Sequence, residues 1–263
     1  MDRRRVTGND QKPVLRGALK LDHVYHGDAL KVLNTLPDNS VDAIISDPPF
    51  FTGIGRNDGG FGEDPWNDIG TVQAGGIWAT SYMEQFNRIV KKGGAIALMC
   101  GCHASAMWMI AAENAGVKWM AEIDILWNTG KPRRQNFGSL HTHCLWFVRP
   151  GAKHTWNSNR KAFFSNVIVA TKVSQQNKRH VSQKPIELTN FLVTLLTKPN
   201  TTVLDPFCGS GSTLVSADLA GRNYVGIDKE AGNVKISKDR AMHSSNEEEN
   251  PLYFWVNGRL EEI

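Results

Sequence analysis

Cysteine is scarce in this chain, and no apolar run is long. The four cysteines (Cys100, Cys102, Cys144 and Cys208) include no Cys-x-x-Cys pair. That excludes a zinc ribbon and a disulfide framework and leaves free thiols in a reducing compartment. No stretch approaches the ~18 apolar residues of a membrane span, and no signal-peptide pattern precedes the first structured stretch. A soluble, cytoplasmic protein with no membrane partner is expected. There is no internal repeat, and no strong excess of one charge. The net charge of +4 suits a polyanionic partner without requiring one. His141-Thr-His143-Cys144 offers ligand-type side chains, but alternation along a strand sends neighbours to opposite faces, so no metal is expected.

What is present is enough for a proper core. With 263 residues, 41% of them hydrophobic, the chain can form one large or two small domains. The most informative stretch is Thr201-Thr-Val-Leu-Asp-Pro-Phe-Cys-Gly-Ser-Gly-Ser-Thr213. It reads as a buried strand (Val203, Leu204), a turn of small residues (Gly209, Ser210, Gly211), and a helix starting near Ser212 or Thr213. A helix start behind glycines offers unpaired N–H groups to an anionic ligand, and the missing side chains let that ligand reach the main chain. A second strand, Asn223 to Ile227, ends in Asp228. A carboxylate at a strand end about 20 residues beyond such a turn can bond both hydroxyls of a ribose. Together they describe a pocket for a nucleoside-bearing cofactor.

Upstream, residues 1 to about 16 are basic and unpatterned, a mobile arm that is either solvated or in contact with DNA. Leu21 to Asp28 reads as a strand ending in a carboxylate, followed by an amphipathic stretch closed by Pro37. Val41 to Ser46 reads as a buried strand that delivers Asp47-Pro-Pro-Phe50. Two prolines fix this backbone and leave carbonyls without neighbouring donors; Asp47 adds a carboxylate and Phe50 an aromatic face. Such a set suits a flat heterocycle carrying an amino group, and it equally suits a rigid turn capping a strand. Residues 51 to 78, rich in glycine, are expected to form a long loop acting as a lid. The pattern predicts a helix from Trp78 to a C-cap at Lys91-Lys-Gly-Gly94, then a buried strand from Ala95 to Cys100 and a helix near Ala104 to Asn114. Ala121 to Trp127 and Thr142 to Val148 read as strands. Residues 150 to 179 mix basic, amide and aromatic side chains, a blend that supplies phosphate contacts and base-edge donors, or else makes a variable surface insertion. Val181 to Pro185 opens a helix, and Leu252 to Val256 reads as an edge strand.

Asp47-Pro-Pro-Phe50 early, His180-Val-Ser-Gln-Lys-Pro185 later, and Asp205-Pro-Phe-Cys-Gly-Ser-Gly-Ser-Thr213 after it closely resemble the beta-class amino DNA methyltransferases. These use S-adenosyl-L-methionine to methylate an exocyclic base nitrogen. The resemblance covers most of residues 20 to 235 and includes the order of the motifs. Phe50 stands where the family most often has Tyr, keeping the stacking face and losing a hydroxyl, and Val181 replaces a usual Pro. The resemblance implies a doubly wound, Rossmann-like α/β fold, mostly parallel, with a small inserted target-recognition region. The organisation expected is a basic arm (1–20), a catalytic half (21–149), a target-recognition region (150–179), a cofactor-binding half (180–240) and a C-terminal tail (241–263).

By the same resemblance Asp47, Pro48, Pro49 and Phe50 are catalytic. The cofactor is held by Asp28, Ala29, Asp47, Lys184, Asp205, Phe207, Cys208, Gly209, Ser210, Gly211, Ser212, Thr213 and Asp228. Contacts to DNA are expected from Lys153, His154, Arg160, Lys161, Lys178 and Arg179. Adenine N6 is the expected acceptor because Asp rather than Ser heads the catalytic motif; cytosine N4 is the alternative. A DNA-binding relative without turnover is a different class of reading, and nothing expected at the site is missing. The implied partner is double-stranded DNA in a prokaryotic or phage-infected cell, with a homodimer and a cognate restriction endonuclease left open.

Overall fold

The computed structural model describes residues 18–49, 72–128, 140–158, 165–174, 176–179, 183–247, 251–256 and 259–262. Its strands are β1 (His23–His26), β2 (Val41–Ser46), β3 (Val90–Cys100), β4 (Lys118–Trp127), β5 (His141–Val148), β6 (Val167–Ala170), β7 (Thr202–Asp205), β8 (Asn223–Asp228), β9 (Tyr253–Val256) and β10 (Arg259–Glu262). The helices are α1 (Ala29–Thr35), α2 (Val72–Ile89), α3 (Cys102–Asn114), α4 (Ile186–Leu196), α5 (Ser212–Leu219) and α6 (Ala231–Met242).

All ten strands join one sheet in the order β1-β8-β7-β2-β3-β5-β4-β6-β9-β10. The first five run parallel. β5 then runs antiparallel between β3 and β4. The central strands are apolar on both faces because both are covered. Ile44, Ile96, Leu98 and Leu145 pack beneath α1, α2 and α3. Ala43, Ile45, Ala97 and Val203 pack beneath α4, α5 and α6. Such a layering is the doubly wound α/β arrangement.

The chain leaves β2 through α2 toward β3 and leaves β7 through α5 toward β8, in opposite directions along the sheet. β2 and β7 are neighbours, with Ile44 opposite Leu204. The order therefore reverses between them, and a crevice opens outside their carboxyl ends. Asp47 follows β2 and the glycine turn follows β7, so the two sequence motifs meet there.

The expected helix from Trp78 begins earlier, at Val72, so residues 72–78 belong to α2 and not to the glycine-rich loop. Gly75 and Gly76 weaken a helix, but the buried Ala79, Tyr82, Met83 and Phe86 anchor it against α3 and the sheet. Its predicted cap at Lys91-Lys-Gly-Gly94 is also corrected, because β3 already runs through these residues. Gly93 sits at φ 79° with its N–H on the Arg149 carbonyl, and a Cβ there would lie 2.6 Å from the Lys153 carbonyl oxygen. That glycine serves close backbone approach, not helix termination. The end of α2 is held instead by Arg88, whose guanidinium donates to the Leu33 and Leu36 carbonyls and to Asp38. The expected tail folds back, with Phe254 buried and β9 paired to β6. β9 is not the edge; β10 covers it. Residues 51–71 of the expected lid and residues 1–17 of the arm lie outside the described residues.

Candidate active site

The glycine turn is shaped for close approach. Gly209 has φ 49° and Gly211 φ 83°, both left-handed, a region glycine enters without steric penalty. A Cβ on Gly211 would stand 2.8 Å from Ser237 Cβ and 2.9 Å from its Cα, so α5 starts tight against α6. The Gly209 N–H donates to Asp228 Oδ2 at 2.9 Å. The other oxygen of Asp228 accepts from the Glu230 N–H at 2.8 Å and the Asn233 amide at 3.2 Å. A carboxylate has about four lone-pair sites and three are taken here, so acceptor capacity remains for about one hydroxyl in the crevice. β1 lies beside β8, with His26 opposite Asp228, and this brings Asp28 to the same rim. Asp28 caps α1 by accepting the Lys31 N–H, with Ala29 buried behind it.

Below the turn, the Phe207 ring sits 5.2 Å from Tyr82 and 5.7 Å from Trp78. Burial and the Asp28 carboxylate push the Tyr82 phenol well above its ordinary range. Cys208 is buried, its thiol also pushed up by desolvation, which makes it packing rather than a nucleophile. Ser210, Ser212 and Thr213 are buried too.

Two side-chain bridges join the halves of the crevice. Ser46, the last residue of β2, donates its hydroxyl to Asp205 Oδ1 at 2.6 Å, and Asp205 ends β7. Lys184, just before α4, pairs its ammonium with Asp47 Oδ2. The Lys184 carbonyl accepts the Ser212 hydroxyl at 2.8 Å, so its backbone is tied to the glycine turn while its side chain reaches Asp47. Pro48 is buried and Pro49 half-buried; Phe50 lies outside the described residues.

Asp205 is almost wholly buried, and desolvation raises its carboxyl from an ordinary 3.8 to about 6 against the hydrogen bonds from Ser46, Phe207 N–H and Thr213. A carboxyl raised on folding favours the folded state at low pH. Its contribution is complete below about pH 4 and is lost as pH rises through about 6. A carbon-detected NMR titration is expected to give Asp205 a midpoint near 6, and Asp205→Asn should lose the wild type's decline in stability across that window. A midpoint near 4 would contradict this.

The DNA-contact residues expected from sequence do not gather in one place. The Lys153 carbonyl lies against Gly93, near the start of β3, and Asn157 N–H bonds the Leu195 carbonyl at the far end of α4. Lys153 and His154 thus sit at the amino ends of the parallel strands, opposite Asp47. The His154 ring packs on Trp146, the structural reason this segment is held there. Lys178 and Arg179 are at the crevice end. β6 brings the chain up beside Trp127, the Lys172 N–H bonds the Asn128 side chain, and the Arg179 N–H bonds Gln183, next to Lys184. Arg160 and Lys161 lie outside the described residues.

Sequence reasoning missed two features. Arg240, 1% exposed, donates from Nη1 to the Ser210 carbonyl at 2.7 Å and from Nε and Nη2 to the two oxygens of Glu247. It buttresses the turn from behind, and its place in the last turn of a polar helix reads as an ordinary helix-end cation. The second is a cross-strand cluster. The His143 imidazole lies between Glu122 and, at 3.2 Å, Asp124. These three ligand-type atoms fall within 4.8 Å of one another. Cys144, the neighbour in sequence, faces the other core, as alternation requires; the carboxylates come from β4, whose register no spacing along β5 reveals.

Residues 41–239 match the family model described as DNA methylase, of the N6/N4 methyltransferases. The chain belongs to this family. The beta-class amino methyltransferases of DNA take their methyl group from S-adenosyl-L-methionine. Among similar proteins, the type II methyltransferase M.HinfI of Haemophilus influenzae is 26% identical over 247 residues, 84% of this chain and 68% of that one. The putative methylase YubD of Escherichia coli K12 is 29% identical over 215 residues, 79% of this chain and 85% of that one. The same fold recurs in the M1.HpyAVI complex with S-adenosylmethionine (TM-score 0.65, 23% identity, 83% of this chain and 98% of that one). It recurs in the cytosine-N4-specific PvuII DNA methyltransferase (TM-score 0.67, 16% identity, 85% and 90%). Among the described residues, no helix of this methyltransferase is long and apolar enough to cross a membrane.

Proposed function

We propose that this methyltransferase transfers a methyl group from S-adenosyl-L-methionine to the N6 amino group of an adenine flipped out of double-stranded DNA. The observation that carries this reading is the meeting of Asp47-Pro48-Pro49 with the glycine turn at the strand-order reversal, bridged by Ser46 to Asp205 and by Lys184. The donor set fits the cofactor: a glycine cradle for close approach, Asp228 at the end of β8 for the ribose, Asp28 and Ala29 at the end of β1 for the adenine, and Lys184 for the carboxylate. When bound, the cofactor supplies an electrophilic methyl on a sulfonium.

An aromatic amine is a poor nucleophile because its lone pair is delocalised into the ring. Asp47 and the Pro48 carbonyl accept its two N–H bonds, favour a pyramidal nitrogen and hold it in line with the arriving methyl. Asp47 also stabilises the positive charge that develops on that nitrogen as its bond to the methyl forms and the methyl–sulfur bond breaks, and the nitrogen then loses one proton to solvent. Catalysis is positioning plus electrostatics. An amine inside a duplex cannot reach the crevice, so the target nucleotide must leave the stack, and Phe50 supplies a face for it. Asp at the head of the catalytic motif favours adenine over cytosine N4, the acceptor named for the PvuII enzyme. Sequencing DNA from cells expressing the protein, with modified-base detection, tests base and site together; N4-methylcytosine in place of N6-methyladenine would overturn the choice of acceptor.

Phosphate and base contacts fall to the crevice end of the recognition segment, where Lys178 and Arg179 sit, and not to Lys153 and His154 at the opposite end of the sheet. Arg179→Ala is expected to weaken duplex binding and make its salt dependence shallower by about one unit of slope. Lys153→Ala should leave both unchanged. Titrations across salt check this, and the reverse result would return recognition to residues 150–164.

A further inference from the structure

Lys184 stands between two parts of the crevice that serve different ligands in the function proposed above. On one side is Asp47, the acceptor for the target amine; on the other is the cofactor turn, to which its own carbonyl is fastened through Ser212. Both partners of the ion pair are mostly buried, with side chains 12% and 19% exposed for Lys184 and Asp47, so water screens the pair weakly. The ammonium pairs with Asp47, the group the incoming base needs. α4, which follows Pro185, is packed into the core through Ile186, Leu188 and Leu192. Thr189 and Ser216 share a 2.6 Å hydrogen bond that locks α4 to α5. The backbone at Lys184 is therefore fixed, and only its flexible four-carbon stem can move.

We propose that Lys184 is a positioning residue that couples the two pockets. It holds Asp47 while the cofactor site is empty, and it is drawn toward the carboxylate of an arriving cofactor, which frees Asp47 to accept the target amine. The consequence is ordered binding: cofactor first, then tight capture of the base. One ammonium cannot neutralise two carboxylates fully, so what it gives to the cofactor it withdraws from Asp47. Asp47, its charge less neutralised, is then a stronger acceptor for the amine at the moment the methyl donor is in place. A base that arrives early meets a carboxylate whose charge Lys184 partly neutralises, and is held less tightly. This inference rests on the function proposed above, because it assumes that Asp47 receives the amine and that the cofactor carboxylate lies near Lys184.

The experiment measures duplex affinity by fluorescence anisotropy, for the protein alone and with each of two probes. They are the unreactive analogue sinefungin, which keeps the amino-acid carboxylate, and methylthioadenosine, which fills the adenosine pocket but lacks it. In the wild type, sinefungin should tighten binding of the cognate duplex about tenfold, within the usual range for coupled sites, and methylthioadenosine should not. The gain should vanish for a duplex whose target base lacks the exocyclic amino group. Lys184→Met should lose the difference between the two probes, and Lys184→Arg should restore part of it. Equal tightening by both probes, or coupling that survives in Lys184→Met, would overturn the proposal while leaving the methyltransferase reading intact. Absence of any saturable binding of sinefungin or duplex to the wild type would instead sink that reading, and this proposal with it.

Discussion

Asp47→Ala should lower kcat by on the order of 10³-fold, the scale seen when one preorganised electrostatic partner of a transition state is removed, with cofactor affinity retained or slightly tightened. The reason lies in what Asp47 touches. Its carboxylate is paired at the end of β2 with the Lys184 ammonium. Removing it deletes the acceptor that favours a pyramidal, nucleophilic nitrogen. It leaves Asp228, Asp28 and the turn where they are. It also gives Lys184 one anion to serve in place of two. Loss of kcat and kcat/KM in equal proportion marks an interaction made only in the transition state. Single-turnover kinetics with calorimetric cofactor titration measures both halves of this expectation, and turnover within a few-fold of wild type would remove Asp47 from its role.

The second large effect belongs to Asp228. Its side chain accepts the Gly209 N–H and the Glu230 N–H, so it shapes the turn as well as taking the ribose in the proposed function. Hydrogen bonds to a charged acceptor contribute roughly 1.5–3 kcal/mol each. Asp228→Ala should therefore raise the cofactor Kd by on the order of 10²-fold, with a measurable fall in Tm from the unpaired turn. Asp228→Asn keeps one carbonyl acceptor and should fall between. Calorimetry in which Asp228→Ala binds with unchanged affinity would place the ribose elsewhere.

How much of this was legible in the sequence depended on the range of the forces involved. β2, β7, β8, α3 and α5 could be read almost residue by residue, because a strand buried on both faces is a continuous apolar run and a glycine turn marks where its helix begins. The meeting of Asp47 with the glycine turn followed from the family resemblance and from the rule that sites open at the carboxyl ends of parallel strands. What local pattern did not carry was pairing across the chain. β6 is four residues long, Val-Ile-Val-Ala, and is a strand because β4 and β9 flank it. Gly93 reads as a helix cap until Lys153 is seen against it. Lys153 and Lys178 look alike in a list of basic residues, yet β6 carries the chain from one end of the sheet to the other between them. The pairing of Lys184 with Asp47 joins positions 137 residues apart, and no motif spacing encodes it.

The most direct test of the central claim is transfer of a deuterated methyl group. The purified protein is incubated with S-adenosyl-L-methionine carrying that label and with duplex DNA containing the methylation site, and the DNA is then digested to nucleosides for mass spectrometry. The account predicts label in N6-methyladenine, in amounts that Asp47→Ala reduces on the order of 10³-fold. Label absent from the DNA, or present equally with Asp47→Ala, would contradict it.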